Sequence, residues 1–303
     1  MKIILLTKER IKLVVVSIVI VVSVSSASVL VKLTSSPPSI VSFWRLFISI
    51  IILSAYYFAR DPSYHVRIAK IDSKLHVLMI ISGFSLAIHF FTWIWSLRLV
   101  KVFIGTTIVD LYPLVAALLA TVFLRERVSL RILIGIIISI LGVSLIAFSS
   151  SKIETFSLEP EVLLGSVMAF IGAVAAGVYV VIGRYVRTKI PDLGLYVLPV
   201  YYSSTITLLI IALLERRNVL SIALDEVPWL ILLAVGPMIG GHTLLNYLLR
   251  FVKASVASLL VILEPVGASI MAWIFLGEEI PPLGVLGMVL AVSGVILASL
   301  RSS

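Results

Sequence analysis

The sequence predicts an all-α polytopic membrane protein in which ten transmembrane helices form two inverted five-helix repeats. The chain of 303 residues is 61% hydrophobic and 13% charged, with a mean hydropathy of +1.20. Soluble proteins average about half apolar and about a quarter charged residues, so much of this chain's surface must face lipid. Ten continuous apolar runs and an internal repeat at an offset of 152 residues complete the prediction.

Each apolar run is long enough to cross a bilayer as a helix. About 20 apolar residues in an α-helix span the hydrocarbon core, whereas a transmembrane β-barrel would show short segments of alternating hydrophobicity. The runs in this chain are continuous, which favours helices. The ten predicted spans are 11–31, 40–59, 75–97, 102–124, 130–148, 162–183, 193–214, 227–249, 254–276 and 282–300.

The ten spans divide into two halves. Residues 1–150 contain five spans, residues 151–160 are predicted to form an external linker, and residues 161–303 contain the other five. Because five is odd, the second half must cross the membrane in the opposite sense from the first. Inverted repeats of this kind are common in secondary transporters, whose binding sites lie at the repeat interface near the membrane midplane.

The repeat is clearest in the fourth and ninth spans. The segment RLVKVFIGTTIVDLYPLVAALLATVFLRER (98–127) aligns without a gap with RFVKASVASLLVILEPVGASIMAWIFLGEE (250–279). Both segments contain a central proline. The carboxylate before the second proline, Glu264, is not repeated, because Tyr112 stands at the equivalent position. Features shared by the two segments therefore indicate scaffold, and Glu264 indicates a specific function.

The distribution of basic residues predicts the topology. Of the 24 Lys and Arg residues, 17 fall in segments on the side of the N-terminus, six on the other side, and one within a span. By the positive-inside rule, both termini are predicted to be cytoplasmic in the cell membrane. The first span is too long for a signal peptide and lacks a clear small-residue cleavage site. The net charge of +9 follows this loop pattern, so the predicted partner is the lipid bilayer and not nucleic acid.

Ionisable side chains inside the spans are the first candidates for function. A charge at the bilayer centre costs roughly 2.5–3.5 kcal/mol on insertion scales, so such groups usually face the bundle interior or a wet cavity. Five positions qualify, and they are Arg45, His89, Asp110, His242 and Glu264.

The two acids each lie close to a proline. Pro265 removes a backbone hydrogen bond and crowds the carbonyl of Val261, which creates a corner suited to a proton, a cation or an amine. We favour that function for Glu264 over a protonated carboxyl that only holds a neighbouring helix. Asp110 lies one turn before Pro113, and for it a substrate or proton site and a structural hydrogen bond remain equally open.

Two histidines occupy repeat-related helices. His89 lies one turn from Trp93, and His242 lies one turn from Asn246. A lone histidine in a helix is usually a structural group, but two in corresponding places make a cavity role as strong an interpretation, and histidine titrates near neutrality. The glycines and proline at 236–241 predict a kink in the eighth span in preference to a break.

Two further side chains are cavity candidates. Arg45 follows Trp44 near the outer end of the second span. Its side chain is expected to snorkel to the interface beside this aromatic residue, with a gate or an anion contact as the alternative. Tyr179 is added to the cavity candidates, although tyrosines are also common in interfacial belts and cores.

Several classes of protein are disfavoured by missing motifs. The chain has no cysteine, no GxxxxGK[ST] phosphate loop, no HExxH motif and no TVGYG filter. ATP hydrolysis, zinc-protease chemistry and potassium conduction are therefore not predicted. We expect no cofactor and no metal.

The ends of the two halves share a pattern of the form P-x12-E-x8-G-x6-G. Two prolines at 37–38 precede the second span, and Arg45 lies within it. With the ten spans, these features resemble the EamA type of the drug/metabolite transporter (DMT) superfamily. The pattern residues are Pro113, Glu126, Gly135 and Gly142 in the first half and Pro265, Glu278, Gly287 and Gly294 in the second.

The resemblance implies a secondary carrier with a central cavity formed by helices 1–4 and 6–9, and with helices 5 and 10 as peripheral supports. Relatives in that family export amino acids and other metabolites, and more distant ones carry nucleotide sugars, triose phosphates or vitamins. The family has no universal substrate motif. No arginine in the second half corresponds to Arg45, so a symmetric substrate clamp is not expected.

The leading hypothesis is an alternating-access exporter of small metabolites such as amino acids or amines, acting as a monomer or homodimer. A buried carboxylate, Glu264 or Asp110, would exchange its proton for a cationic substrate. The alternatives are a uniporter or exchanger of anionic metabolites resembling sugar phosphates or nucleotide sugars, and an integral-membrane enzyme using a histidine with Asp110. The proposed cavity residues are Arg45, His89, Trp93, Tyr179, His242, Asn246 and Glu264.

Overall fold

The computed structural model describes residues 2–100, 102–149, 159–276 and 279–299, and these residues form helices and loops without strands. The predicted linker at 151–160 lies almost entirely outside the described residues, as does Glu278. The first-half helices are α1 (Lys2–Ser25), α2 (Ala27–Lys32), α3 (Pro38–Arg60), α4 (Tyr64–Ala69), α5 (Ser73–Leu99), α6 (Val102–Val109), α7 (Tyr112–Phe123) and α8 (Leu130–Ser149).

The second half continues with α-helices, two 3-10 turns and one π-helix. Its α-helices are α9 (Pro160–Lys189), α10 (Gly194–Leu214), α11 (Val227–Leu233), α12 (Leu244–Leu248), α13 (Ala254–Ser258), α14 (Glu264–Leu276) and α15 (Pro282–Ser299). The 3-10 turns are Leu224–Glu226 and Val261–Leu263, and the π-helix is Ala234–Thr243.

The predicted membrane-spanning architecture is confirmed. Within the described residues, eight helical segments are long and apolar enough to cross a membrane, and two shorter apolar helices cover Leu130–Ile146 and Pro282–Ala298. These ten segments correspond to the ten predicted spans. The short helix α4 lies outside them, in the connection between the second and third spans, where Arg67 pairs with Asp61 and Asp192.

The fourth and ninth spans are both interrupted near the middle. The fourth changes from α6 to α7 at residues 110–111, and the ninth changes from α13 through a 3-10 turn to α14. Proline is the second residue of both α7 and α14, where its missing N–H breaks no hydrogen bond of the new helix but ends the old one. As a result, Asp110 lies in the first interruption and Glu264 opens the helix after the second.

The eighth span differs from the predicted kink. It widens into a ten-residue π-helix between α11 and α12, with Pro237 inside it. Proline cannot donate to the α-helical ladder, and the longer bonding pattern continues the helix past it. A Cβ on Gly241 would come 2.7 Å from Val24 of α1, so this glycine also permits close helix packing. Such π segments are frequent at functional sites.

Glycines in the shared pattern bring α8 and α15 into backbone contact. A Cβ on Gly135 would come 2.6 Å from the carbonyl oxygen of Gly294, and one on Gly142 would come 2.6 Å from that of Gly287. Small residues let helices approach closely where lipid supplies no hydrophobic drive. Because 135 faces 294 and 142 faces 287, these repeat-equivalent helices run antiparallel, as inverted repeats require.

The small residues of α9 serve the same purpose between the two halves. Gly165 meets Val100 at the end of α5, and Gly177 meets Val115 of α7. The largest apolar cluster joins the first-half helices to α9, α10 and the π-helix, whereas α8 and α15 pack in a second cluster.

Candidate functional site

A buried cavity lies where the interrupted fourth and ninth spans meet α3, α5, α9 and the π-helix. Its volume of about 40 Å³ is room for about three water molecules in this conformation. No described residue of α8 or α15 lines it, in keeping with a peripheral place for the fifth and tenth spans. Seven of the predicted residues line the cavity, namely Arg45, His89, Trp93, Asp110, Tyr179, His242 and Glu264.

Arg45 does not snorkel to the interface, and that expectation was wrong. The side chain is 1% exposed and turns inward to the cavity. Its Cζ lies 3.9 Å from the ring centroid of Phe90, a cation–π contact. The neighbouring Trp44 makes the outward contact instead, because its indole N–H donates to the carbonyl of Val219 at 2.7 Å.

The guanidinium of Arg45 makes no hydrogen bond with the described protein. Nε, Nη1 and Nη2 are all buried and all lack a partner. Glu264 attracts Arg45 electrostatically, yet no oxygen of Glu264 lies within the 4.0 Å limit of an ion pair. The two side chains therefore line one cavity without a direct ion pair.

The two acids share the cavity although they are not repeat equivalents. Asp110 is 4% and Glu264 is 9% exposed, and the two carboxyl groups interact electrostatically. Asp110 Oδ2 and Glu264 Oε1 have no hydrogen-bond partner among the described residues. The hydroxyl and backbone N–H of Ser28 approach the Glu264 carboxyl from the first span. Two carboxylates that line one small low-dielectric cavity oppose joint ionisation.

Tyr112 connects the two interrupted helices beside the acids. Its hydroxyl donates to the carbonyl of Ser258 at 2.7 Å. Ser258 is the last residue of α13, and its carbonyl lies next to the helix interruption. Tyr112 therefore fixes the separation between the Asp110 and Glu264 backbones.

The two histidines lie on one aromatic wall. The His89 and His242 ring centroids are 6.2 Å apart, and His242 packs edge-on against Phe90 at 4.9 Å. His89 Nδ1 lies 3.0 Å from the carbonyl of Gly172. Because a carbonyl only accepts, neutral His89 carries its proton on Nδ1 and leaves Nε2 as an acceptor. His242 Nδ1 and Trp93 Nε1 have no described hydrogen-bond partner.

Asn246 lies behind the cavity wall, in contrast to its predicted place in the lining. Its amide nitrogen donates to the Tyr179 hydroxyl at 2.5 Å and to the His242 carbonyl at 2.9 Å. The residue is fully buried. Asn246 thus positions Tyr179 and anchors the end of the π-helix. Asn246 lies one turn after His242 in the sequence, but the two side chains do not share a helix face, because the wider π-helix ends between them.

Two aromatic lining residues, Phe90 and Tyr112, were not predicted from the sequence. Phe90 was overlooked because a phenylalanine in an apolar helix carries no distinguishing signal, although it follows His89 directly. For Tyr112, the sequence shows only that it stands at the position equivalent to Glu264 in the other repeat. Both line the cavity, and the break in repeat symmetry at 112 and 264 was the available sequence signal for the second.

Loop contacts join several spans at the end of the bundle that the charge pattern predicts to be extracellular. Glu226 accepts hydrogen bonds from the backbone N–H groups of Ser35 and Ser36 at 2.7 and 3.0 Å, and from both hydroxyls. Arg98 donates to the carbonyls of Thr34 and Ser36 at 2.7 and 3.3 Å. These bonds attach the connection between the first two spans to the third and eighth.

A second network joins loops and spans at the opposite end of the bundle. Arg184 pairs with Glu126 at 2.7 Å and donates to the carbonyl of Leu249 at 2.8 Å. Arg250, the repeat equivalent of Arg98, donates to the carbonyl of Pro191 at 3.4 Å. The two repeat-related arginines therefore hold connecting loops at opposite ends of the bundle.

Comparison with known proteins gives a family match over nearly the whole chain. The EamA-like transporter family matches residues 11–148 and again residues 163–300. A solved structure described as the crystal structure of a protein superimposes with a TM-score of 0.76 at 17% identity, covering 95% of this chain and 96% of that chain. That likeness concerns the fold.

Curated relatives of the chain include proteins described as uncharacterized transporters. The chain is 27% identical over 201 residues to the uncharacterized transporter YdfC of Bacillus subtilis (strain 168), covering 65% of this chain and 62% of that protein. It is 28% identical over 204 residues to the uncharacterized transporter YyaM of the same organism, covering 64% and 63%. The alignments therefore span a little under two thirds of each relative.

Proposed function

The chain belongs to the EamA-like transporter family, and we propose that it exports small metabolites, such as amino acids or amines, by alternating access. The family and the apolar helices make the chain a multi-pass membrane transporter. Placement in the cell membrane with both termini cytoplasmic follows from the basic residues of the loops and is part of the proposal.

The observation that carries this proposal is the convergence of ionisable groups on one buried cavity. Arg45, His89, Asp110, His242 and Glu264 come from five different spans and all line it. Buried charges are costly unless they are paired or used. Their convergence between the two repeats matches the position expected for a transporter binding site.

Asp110 and Glu264 supply the proposed coupling. Joint ionisation of neighbouring buried carboxylates is disfavoured, so the pair retains a proton until a cation arrives. A substrate ammonium group can replace that proton, and the proton returns when the ammonium leaves. The other charged or titratable groups facing the pair are Arg45, His89, Tyr112, Tyr179 and His242.

Alternating access requires the small cavity to widen toward one side at a time. A volume of about 40 Å³ holds about three waters, which is less than most metabolites need. The network around Glu226 and Arg98 would open for the outward-facing state, and that around Glu126 and Arg184 for the inward-facing state. Neither network shares a residue with the cavity lining.

The test uses the full chain in proteoliposomes with a pH-sensitive dye inside. Amino acids and their decarboxylated amines are added outside in turn, and proton movement and solute uptake are recorded. We expect solute-driven proton movement in the native protein and its loss in Glu264→Gln with Asp110→Asn. Glu161→Gln, at an exposed acid, is the control and should transport normally. Unchanged coupled proton movement in the double variant would refute the coupling role.

Exchange of anionic metabolites is a second candidate, because the Arg45 guanidinium in the cavity has no hydrogen-bond partner among the described residues. Counterflow of a phosphorylated sugar at rates above those of amino acids would favour it. The enzyme alternative gains no support from the geometry. Within the described residues, neither cavity histidine hydrogen-bonds to a carboxylate.

A further inference from the structure

Two arginines are buried equally deeply in this bundle, and their surroundings are opposite. Arg45 and Arg187 are each 1% exposed. Arg187 donates to the carbonyls of Asn246, Ile190, Asp192 and Pro191 at 2.6–3.2 Å. Arg45 donates to nothing in the described protein. Arg187 therefore has the bonding of a structural arginine, whereas Arg45 has the full donor capacity of a binding group.

We propose that Arg45 binds the carboxylate of a zwitterionic substrate whose ammonium group is bound on the opposite side of the cavity by Asp110 and Glu264. This inference rests on the proposed transport function and narrows its substrate class from amines in general to small α-amino acids. It assigns the carboxylate site to the first repeat alone.

The chemistry of the guanidinium favours a carboxylate. Arginine presents a planar fork of N–H groups that matches a carboxylate with two parallel hydrogen bonds. The Phe90 ring lies against the guanidinium, and an aromatic face holds that plane while it leaves the N–H groups at the edge available. A lysine at this position would offer a point charge without the fork.

Local pairing of opposite charges favours a zwitterion over a simple cation or anion. Arg45 and Glu264 attract each other across the cavity without an ion pair. A buried charge left unpaired is strongly destabilising. An amine alone would leave Arg45 unpaired and repel it, and a carboxylate alone would face two acids. A molecule with both groups pairs Arg45 at one end and the acids at the other.

The rest of the wall accommodates an apolar side chain. Phe90, Trp93 and Val24 also line the cavity. Trp93 is 4% exposed, and its indole nitrogen has no described partner, so it is an additional donor for a bound carboxylate. The apolar lining favours amino acids with hydrocarbon side chains over those with charged ones.

The test compares matched ligands that differ by one charged group. The probes are valine with isobutylamine and isovalerate, and phenylalanine with phenethylamine and 3-phenylpropionate. Binding to the purified full-length chain is measured by thermal shift, and uptake is measured in proteoliposomes. The native protein should bind the amino acid of a set more tightly than its amine or its acid.

Arg45→Gln should reduce affinity for the amino acid by about tenfold to a hundredfold, the range expected for a lost charge-assisted interaction. Affinity for the matched amine should stay the same or increase, because the repelling cation is gone. Arg45→Lys keeps the charge and should fall between native and Arg45→Gln, which keeps the test decisive if Arg45→Gln does not fold. Arg187→Lys is the control and should not change the ranking of the three probes.

Two results would overturn the proposal. One is binding of amino acid and amine in the native ratio by both Arg45 variants. The other is that neither amino acid binds the native protein more tightly than its matched amine and acid. That result would mean that Arg45 is only hydrated and binds no carboxylate. The coupling role is tested separately, because it predicts that proton movement is lost in the acid variants Glu264→Gln and Asp110→Asn. A changed ligand ranking in Arg45→Gln with intact proton movement in those variants would keep this inference and remove the coupling.

Discussion

The contrast between Arg45 and Arg187 predicts unequal effects of their replacement on stability. Glutamine at 187 can replace only part of four hydrogen bonds to carbonyls. Hydrogen bonds to charged groups contribute about 1.5–3 kcal/mol each, so Arg187→Gln should destabilise the chain by roughly 3 kcal/mol or more. At about 2 °C per kcal/mol for a large domain, the apparent Tm should fall by roughly 6 °C.

Arg45→Gln should change stability much less, because opposing effects nearly cancel. It replaces a buried cation that has no hydrogen-bond partner among the described residues with a smaller neutral amide, which relieves about 1–3 kcal/mol of desolvation cost. It also removes the contact with Phe90, which is worth about 2 kcal/mol in a desolvated site. The net change should be within about 1 kcal/mol of zero. Thermal unfolding of both variants in the same detergent measures the difference, and an equal fall in Tm would show that Arg45 is a structural group.

Three further changes test other contacts. Gly142→Val should destabilise the chain by about 1–3 kcal/mol in thermal unfolding, because even a Cβ there meets the facing backbone, and native-like stability would contradict that close contact. Tyr112→Phe loses its bond to Ser258 and should cost about 1 kcal/mol while lowering transport; unchanged transport would show that this bond does not set the site. The Ser63 hydroxyl lowers the pKa of Asp61. This hydrogen bond therefore stabilises the folded chain above the unfolded pKa of about 4, and the stabilisation is lost on acidification. Asp61→Asn should flatten the acid limb of the stability–pH curve. An unaltered acid limb would show that Asp61 does not contribute to this pH dependence.

The membrane-spanning helices could be predicted because hydropathy reports the solvent directly. The repeat predicted the inverted arrangement, and it also indicated where symmetry fails. Both helix interruptions follow prolines visible in the sequence, which is why Asp110 and Glu264 could be identified as special positions. That they share one cavity could not be predicted, since Asp110 falls on Ile262 in the repeat and only the packing of the two halves brings the acids together.

The errors have physical causes that lie outside local sequence. Arg45 beside Trp44 has the pattern of an interfacial pair, and only the packing of the third span against the second shows that Arg45 turns toward Phe90. The π-helix that displaces Asn246 depends on how the chain continues past Pro237 and packs on α1. The contact of Arg45 with Phe90 and the packing of the π-helix on α1 both join residues that are distant in the sequence.

The most direct test of the account is the pH dependence of amino-acid transport in proteoliposomes that contain the native chain or the variant Glu264→Gln with Asp110→Asn. We predict that an imposed proton gradient accelerates solute movement in the native protein and has no effect in the double variant, while Glu161→Gln behaves like the native chain. An equal acceleration in the native protein and the double variant would contradict the claim that the buried acids couple protons to transport.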